Sequence, residues 1–196
     1  LIQNCGCMVK DFNGVVTTGR DPGLPGVNSY VTDNGTNLPG SKSGAAAGKI
    51  SLDAESLRFL QNGNFYVGDE YGAEVYYFNA TGQMLGVIQP PAALIPRTNA
   101  SSTDPGTLSY TSQADALVGR RLNQDIEGMA ITPDQKHLVT LLQSAAEQDS
   151  TTNQATRTNT RLMIYDISGN KTPTTPVAGY VLQLPVYNNQ GSAAAP

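Results

Sequence analysis

One stretch of this chain occurs twice, and that repeat constrains the fold more than any other feature. One copy reads Asp53-Ala-Glu55-Ser-Leu-Arg-Phe-Leu60, then Gln61-Asn-Gly-Asn64, then Phe65-Tyr-Val-Gly-Asp-Glu70. The other reads Asp125-Ile-Glu127-Gly-Met-Ala-Ile-Thr132, then Pro133-Asp-Gln-Lys136, then His137-Leu-Val-Thr-Leu-Leu-Gln143. A third apolar run follows in each, Glu74–Phe78 and Arg161–Tyr165. A fourth closes each, Met84–Ile88 and Val177–Leu184. Between them lie turn residues, Asn79–Gly82 and Asp166–Asn170. Four short apolar runs joined by Gly, Asn and Asp turns predict a four-stranded antiparallel meander. In the first strand Leu57 and Phe59 alternate with Arg58 and Leu60.

A lone meander leaves one apolar face uncovered, and stacked copies cover it. The pattern therefore predicts an all-β fold, a β-propeller of four-stranded antiparallel blades, with this chain forming only part of the ring. Residues 50–90 and 125–185 are the expected blades. Residues 1–49 form an irregular N-terminal segment, a partial blade whose best strands are Val15–Thr18 and Tyr30–Thr32. Residues 91–124 are a long insertion loop, and Ser144–Thr160 is a second one. Residues 186–196 read as a C-terminal linker or break point. The copies start 72 residues apart, at Asp53 and Asp125, more than the roughly 40–50 residues of a usual blade. A two-sheet β-sandwich is the alternative architecture.

Composition excludes several function classes. Among 196 residues, 12 are Lys or Arg and 16 are Asp or Glu, a net charge of −4, so no basic nucleic-acid face is expected. No apolar run reaches the ~20 residues of a membrane span. His137 is the single histidine, which rules out a multi-histidine zinc site within the chain. It also leaves Ser51 and Ser56 without a histidine base, and no Gly-x-Ser-x-Gly elbow occurs. Gly44-Ala-Ala-Ala-Gly48-Lys49-Ile50 lacks the spacing and the Ser/Thr of a phosphate loop.

The sequons at Asn34, Asn79, Asn99 and Asn170 all fall in expected turns, where glycans can be carried. With low charge and abundant Ser, Thr and Asn, they lead us to expect a secreted glycoprotein. Cys5 and Cys7 are too close for an unstrained mutual bond. Partners outside the chain, or two free thiols, remain the alternatives. Leu1-Ile2-Gln3 is neither an initiator Met nor a signal peptide, so a processed start is expected.

These strings resemble the phytase-like, or esterase-like activity of phytase, family of extracellular β-propellers. The resemblance runs over about residues 50–185. It rests on Asp53-Ala-Glu55-Ser, on Phe65-Tyr-Val-Gly-Asp-Glu-Tyr-Gly72 with Val75–Gly82, and on Arg121-Leu-Asn123-Gln-Asp-Ile-Glu127-Gly. It implies a phosphoester or carboxyester hydrolase acting on a small anionic or ester substrate. The remainder of the propeller, as a separate fragment or chain, is the implied partner. Rival readings are a non-catalytic binding or assembly propeller and a lactonase-type propeller with one central ion.

The acidic residues carry the expected chemistry. Carboxylates brought together at strand ends repel and raise one another's pKa unless a cation sits among them. Ca²⁺ suits an all-oxygen donor set. The candidate ligands are Asp53, Glu55, Asp69, Glu70, Asn123 and Glu127. The candidate catalytic residues are Glu55, Glu127 and Arg121, with Arg121, and next Arg120, holding an anion. For each acid, capping a turn or pairing with Arg is the competing role. Gln143 stands where Glu70 stands, which argues against a repeated metal site. Tyr71, Tyr76 and Tyr77 read as ligand-facing or packing aromatics.

Overall fold

The computed structural model describes residues 8–23, 29–189 and 191–194, so Cys5 and Cys7 lie outside the described residues. Among these the chain is all-β, with short 3-10 turns and no α-helix. A hairpin of β1 (Tyr30–Asp33) and β2 (Thr36–Pro39) comes first. The first large sheet contains β3 (Ala54–Phe59), β4 (Phe65–Asp69), β5 (Val75–Phe78) and β6 (Met84–Ile88), in that spatial order. The second contains β7 (Ile126–Ile131), β8 (His137–Leu142), β9 (Asn159–Asp166) and β10 (Ala178–Gln183), again in sequential order. All pairs are antiparallel. The two predicted meanders are therefore present. A small hairpin, β11 (Tyr187–Asn189) with β12 (Ser192–Ala194), lies within the stretch expected as a linker.

The repeat extends to local backbone geometry. In the β3–β4 turn the Gly63 N–H donates to Leu60 O, with Gly63 at φ +85. In the β7–β8 turn Gln135, 72 positions later, makes the same bond to Thr132 O at φ +57. Glycine adopts that conformation freely, whereas glutamine adopts it at a cost. The two turns lie side by side, and the Gln61 N–H donates to Gln135 Oε1 at 3.1 Å.

The first sheet is covered on both faces. Tyr66, Val75, Tyr77 and Ile88 pack against Ile126, Met129, Leu138, Met163 and Tyr165 of the second sheet. Val67, Tyr76, Phe78 and Met84 pack against Val31, Leu38 and Ile50 of the N-terminal segment. The β9–β10 connection closes over the first sheet, where the Tyr66 hydroxyl donates to Lys171 O at 2.8 Å. Strand β10, by contrast, exposes Tyr180, Val181 and Leu182.

The sheets approach most closely where β3 and β4 meet β7. At Gly68 an added Cβ would lie 2.7 Å from Ile126 Cγ2 and against Ser56 Oγ, and the Ser56 hydroxyl reaches Ile126 O at 3.4 Å. A methyl there forces the sheets apart. We expect Gly68→Ala to cost about 1–3 kcal/mol, read as a lower denaturation midpoint. Gly169→Ala, with open space around its Cα, should leave the midpoint unchanged.

Candidate functional site

Both Asp-x-Glu motifs open an inner strand, and both contain a β-bulge at the glutamate. Pairing of β3 with β4 shifts register between Ala54 and Ser56, so Glu55 is the bulged residue. Pairing of β7 with β8 shifts between Ile126 and Gly128, so Glu127 is bulged. A bulge re-aims its side chain out of the sheet alternation, and both glutamates are exposed. Backbone bonds fix the same frame in each copy. The Glu70 N–H donates to Asp53 O at 3.0 Å, and the Gln143 N–H donates to Asp125 O at 2.8 Å.

This frame brings Asp53, Glu55 and Glu70 together, with one carboxylate oxygen of each within 4.8 Å of the others. Burial first, then the charges of Glu127 and Asp53, raise the Glu55 carboxyl above its ordinary pKa. The charge of Glu127 acts on Glu55, so the second strand opening lies within electrostatic reach of the first. Glu70 is buried, and its carboxyl is pushed from 4.5 to about 7 by desolvation, then by Asp53, Glu55 and Glu127. The oxygen-only donor set suits a hard cation such as Ca²⁺, which favours carboxylates as a group.

The other expected residues lie elsewhere. Asp69 sits beneath the trio, fully buried, with Oδ1 accepting the Asp53 N–H at 2.9 Å. Desolvation pushes its carboxyl up to about 8. Asn123 is exposed at φ +54 in the tight turn between Arg121 and Gln124. Arg121 is buried and committed, 3.1 Å from Glu147 Oε2 and donating to Ser150 Oγ at 2.7 Å. Its charged neighbours are Glu147, Arg157 and Asp115. It thus ties the 144–160 insertion to the sheet and does not face the trio.

Arg120 is the arginine that meets the acids. It is 1% exposed and lies 3.3 Å from Asp125 Oδ2. Glu74, not anticipated as a functional residue, is fully buried beside Asp69 and Asp125. The signal for it was present: a carboxylate heading Val75-Tyr-Tyr-Phe78, a strand buried at every position.

An open groove of about 510 Å³ adjoins Glu55 and is lined mainly by Leu52, Leu57, Phe59, Phe65 and Val67. Among the sequons, Asn34, Asn99 and Asn170 are exposed, and Asn79 is half-buried with Oδ1 accepting the Thr81 and Gln83 N–H groups.

These two matched sheets with a carboxylate trio at the opening define an all-β protein with a candidate hard-cation site. The sequence profile of the family described as "Phytase-like: Esterase-like activity of phytase" matches residues 14–194, and the chain belongs to that family. It is 39% identical over 166 residues to a protein of Arthroderma benhamiae described as an "Uncharacterized secreted protein". That alignment takes in 81% of this chain and 31% of the relative, so the chain spans about a third of the relative's length. Among the described residues no helix is long and apolar enough to cross a membrane.

Glu70 supplies a pH test. In the folded chain its proton is held more tightly than in the unfolded chain. The stability it contributes is therefore complete below about 4.5 and lost as pH rises through about 7. In chelator, the thermal midpoint should fall across this window, and Glu70→Gln should flatten the fall. An unchanged slope in the variant would remove Glu70 from the coupled set.

Proposed function

We propose that this chain is part of a secreted, glycosylated β-propeller that hydrolyses phosphoesters or carboxyesters with the help of Ca²⁺. Support for the propeller comes from two equivalent sheets stacked through their inner strands. Secretion is supported by the description of the Arthroderma benhamiae relative and by three exposed sequons. The observation that carries the reaction is the trio itself, three carboxylate oxygens within 4.8 Å of one another beside an open groove.

In this reading Asp53, Glu55 and Glu70 hold the cation. Bound there, a divalent ion supplies Lewis-acid polarisation of a phosphoryl or carbonyl oxygen and eases deprotonation of water. Glu127 faces the same space from the neighbouring sheet and is positioned to accept a proton from the attacking water. Arg121 is a positioning residue that holds the 144–160 insertion through Glu147 and Ser150. The groove beside Glu55 is apolar, which suits the hydrocarbon part of a carboxyester better than a polyphosphate.

The native protein is assayed on a chromogenic acyl ester and on phytate, with and without chelator. We expect chelation to abolish turnover and Ca²⁺ to restore it. Glu55→Gln and Glu127→Gln should each lower the rate by about 10²-fold or more. Turnover that survives chelation and both substitutions would contradict the proposal. Ligand binding without turnover of either substrate would favour a non-catalytic propeller.

A further inference from the structure

The molecule contains a second group of carboxylates that the hydrolase reading does not use. Asp69 ends β4, Glu74 leads into β5, and Asp125 precedes β7. All three are 0% exposed. Asp69 Oδ2, both oxygens of Glu74, both of Asp125 and the Tyr76 hydroxyl are buried without a hydrogen-bond partner. Buried carboxylate oxygens in that state are among the most costly arrangements in a folded chain.

The nearby charged donor is spent elsewhere. Arg120 gives its N–H groups to backbone carbonyls: Nε and Nη2 to Tyr71 O, Nη2 also to Tyr110 O, and Nη1 to Arg121 O, all at 2.8–3.1 Å. Its charge contacts Asp125 at 3.3 Å without supplying a hydrogen bond. The Tyr110 hydroxyl lies within reach of Glu74 and, at 3.2 Å, of Asn37 O, and its single proton serves only one of them at a time. The backbone folds tightly around Glu74, so that a Cβ on Gly72 would collide with its carboxylate. Burial raises all three carboxyls; in their ionised form, three carboxylates against one guanidinium would leave two negative charges in the interior.

We propose that Asp69, Glu74 and Asp125 form an interior site for one hard divalent cation, distinct from the surface trio. One such ion restores neutrality, and the donor set is entirely oxygen, as Ca²⁺ prefers. The interior set is looser than Asp53, Glu55 and Glu70, the one group among the described residues whose oxygens all lie within 4.8 Å. Binding therefore draws the leads into β5 and β7 together and pins the two sheets at their inner ends. The proposal does not depend on catalysis, and its role is structural.

The test is the calcium content of native protein after dialysis into calcium-free buffer, read by atomic emission beside a thermal melt. We expect one retained equivalent per chain, whose removal by chelator lowers the midpoint by about 5–10 °C. Glu70→Gln should keep that equivalent, and Glu74→Gln and Asp125→Asn should lose it. No retained calcium in the wild type would overturn the proposal even if neither interior variant folds. So would a Glu74→Gln variant with a raised midpoint, because the amide then relieves repulsion that no cation was balancing. Calcium lost from Glu70→Gln but kept by Glu74→Gln would assign the ion to the surface trio and overturn it as well. Hydrolytic activity does not enter this readout, so failure here leaves the catalytic reading standing, and the converse holds.

Discussion

Electrostatic repulsion among carboxylates at the meeting point of two sheets governs this structure. Asp53, Glu55 and Glu70 share one opening within electrostatic reach of Glu127, and Asp69, Glu74 and Asp125 are buried nearby with a single arginine. A stable chain does not collect seven acids at one junction by hydrophobic packing alone, since each added charge raises the cost of the next. The surrounding elements brace this arrangement. Tyr66, Tyr77, Met129 and Met163 form the apolar body that holds the sheets together. Arg120 ties the 71–73 turn to the 110–111 segment through carbonyl contacts. Asp69 accepts the Asp53 N–H and so fixes the surface site from below.

The bulges convert the repeat into a site. Without them, strand alternation would turn Glu55 and Glu127 into the interface between the sheets or away from it. With them, both glutamates leave the alternation at the same position in each copy and come within electrostatic reach of one another. The copies then diverge. Asp53 is half-buried and belongs to the surface trio, whereas its counterpart Asp125 is fully buried beside Arg120. Glu70 has Gln143 as its counterpart, which keeps the surface site single. One repeated motif thus supplies both a surface and an interior acid group.

Much of this was legible in the residues. The strands and their order followed from apolar runs separated by Gly, Asn and Asp, because turn chemistry is local. Asp53, Glu55 and Glu70 were three of six candidate ligands, and the antiparallel pairing of β3 with β4, which places 53–55 opposite 69–70, is what singles them out. Other features needed the three-dimensional frame. Arg120 and Arg121 are neighbours in sequence but project into different surroundings, and spacing does not say which one meets the acids. The burial of Asp125 depends on how deeply β7 packs against β3 and β4, a tertiary property. Glu74 carried a readable warning as a charge at the head of a wholly apolar strand, but its partners come from residues 69 and 125.

The central claim is that the two sheet openings face one another and hold a cation between carboxylates. A crystal grown with Ca²⁺ and measured for anomalous scattering tests it most directly. The account predicts a peak about 2.3–2.6 Å from oxygens of Asp53, Glu55 and Glu70, with the Glu127 carboxylate facing it. A map with no peak at that trio, or with Glu55 and Glu127 on opposite sides of the molecule, would contradict it.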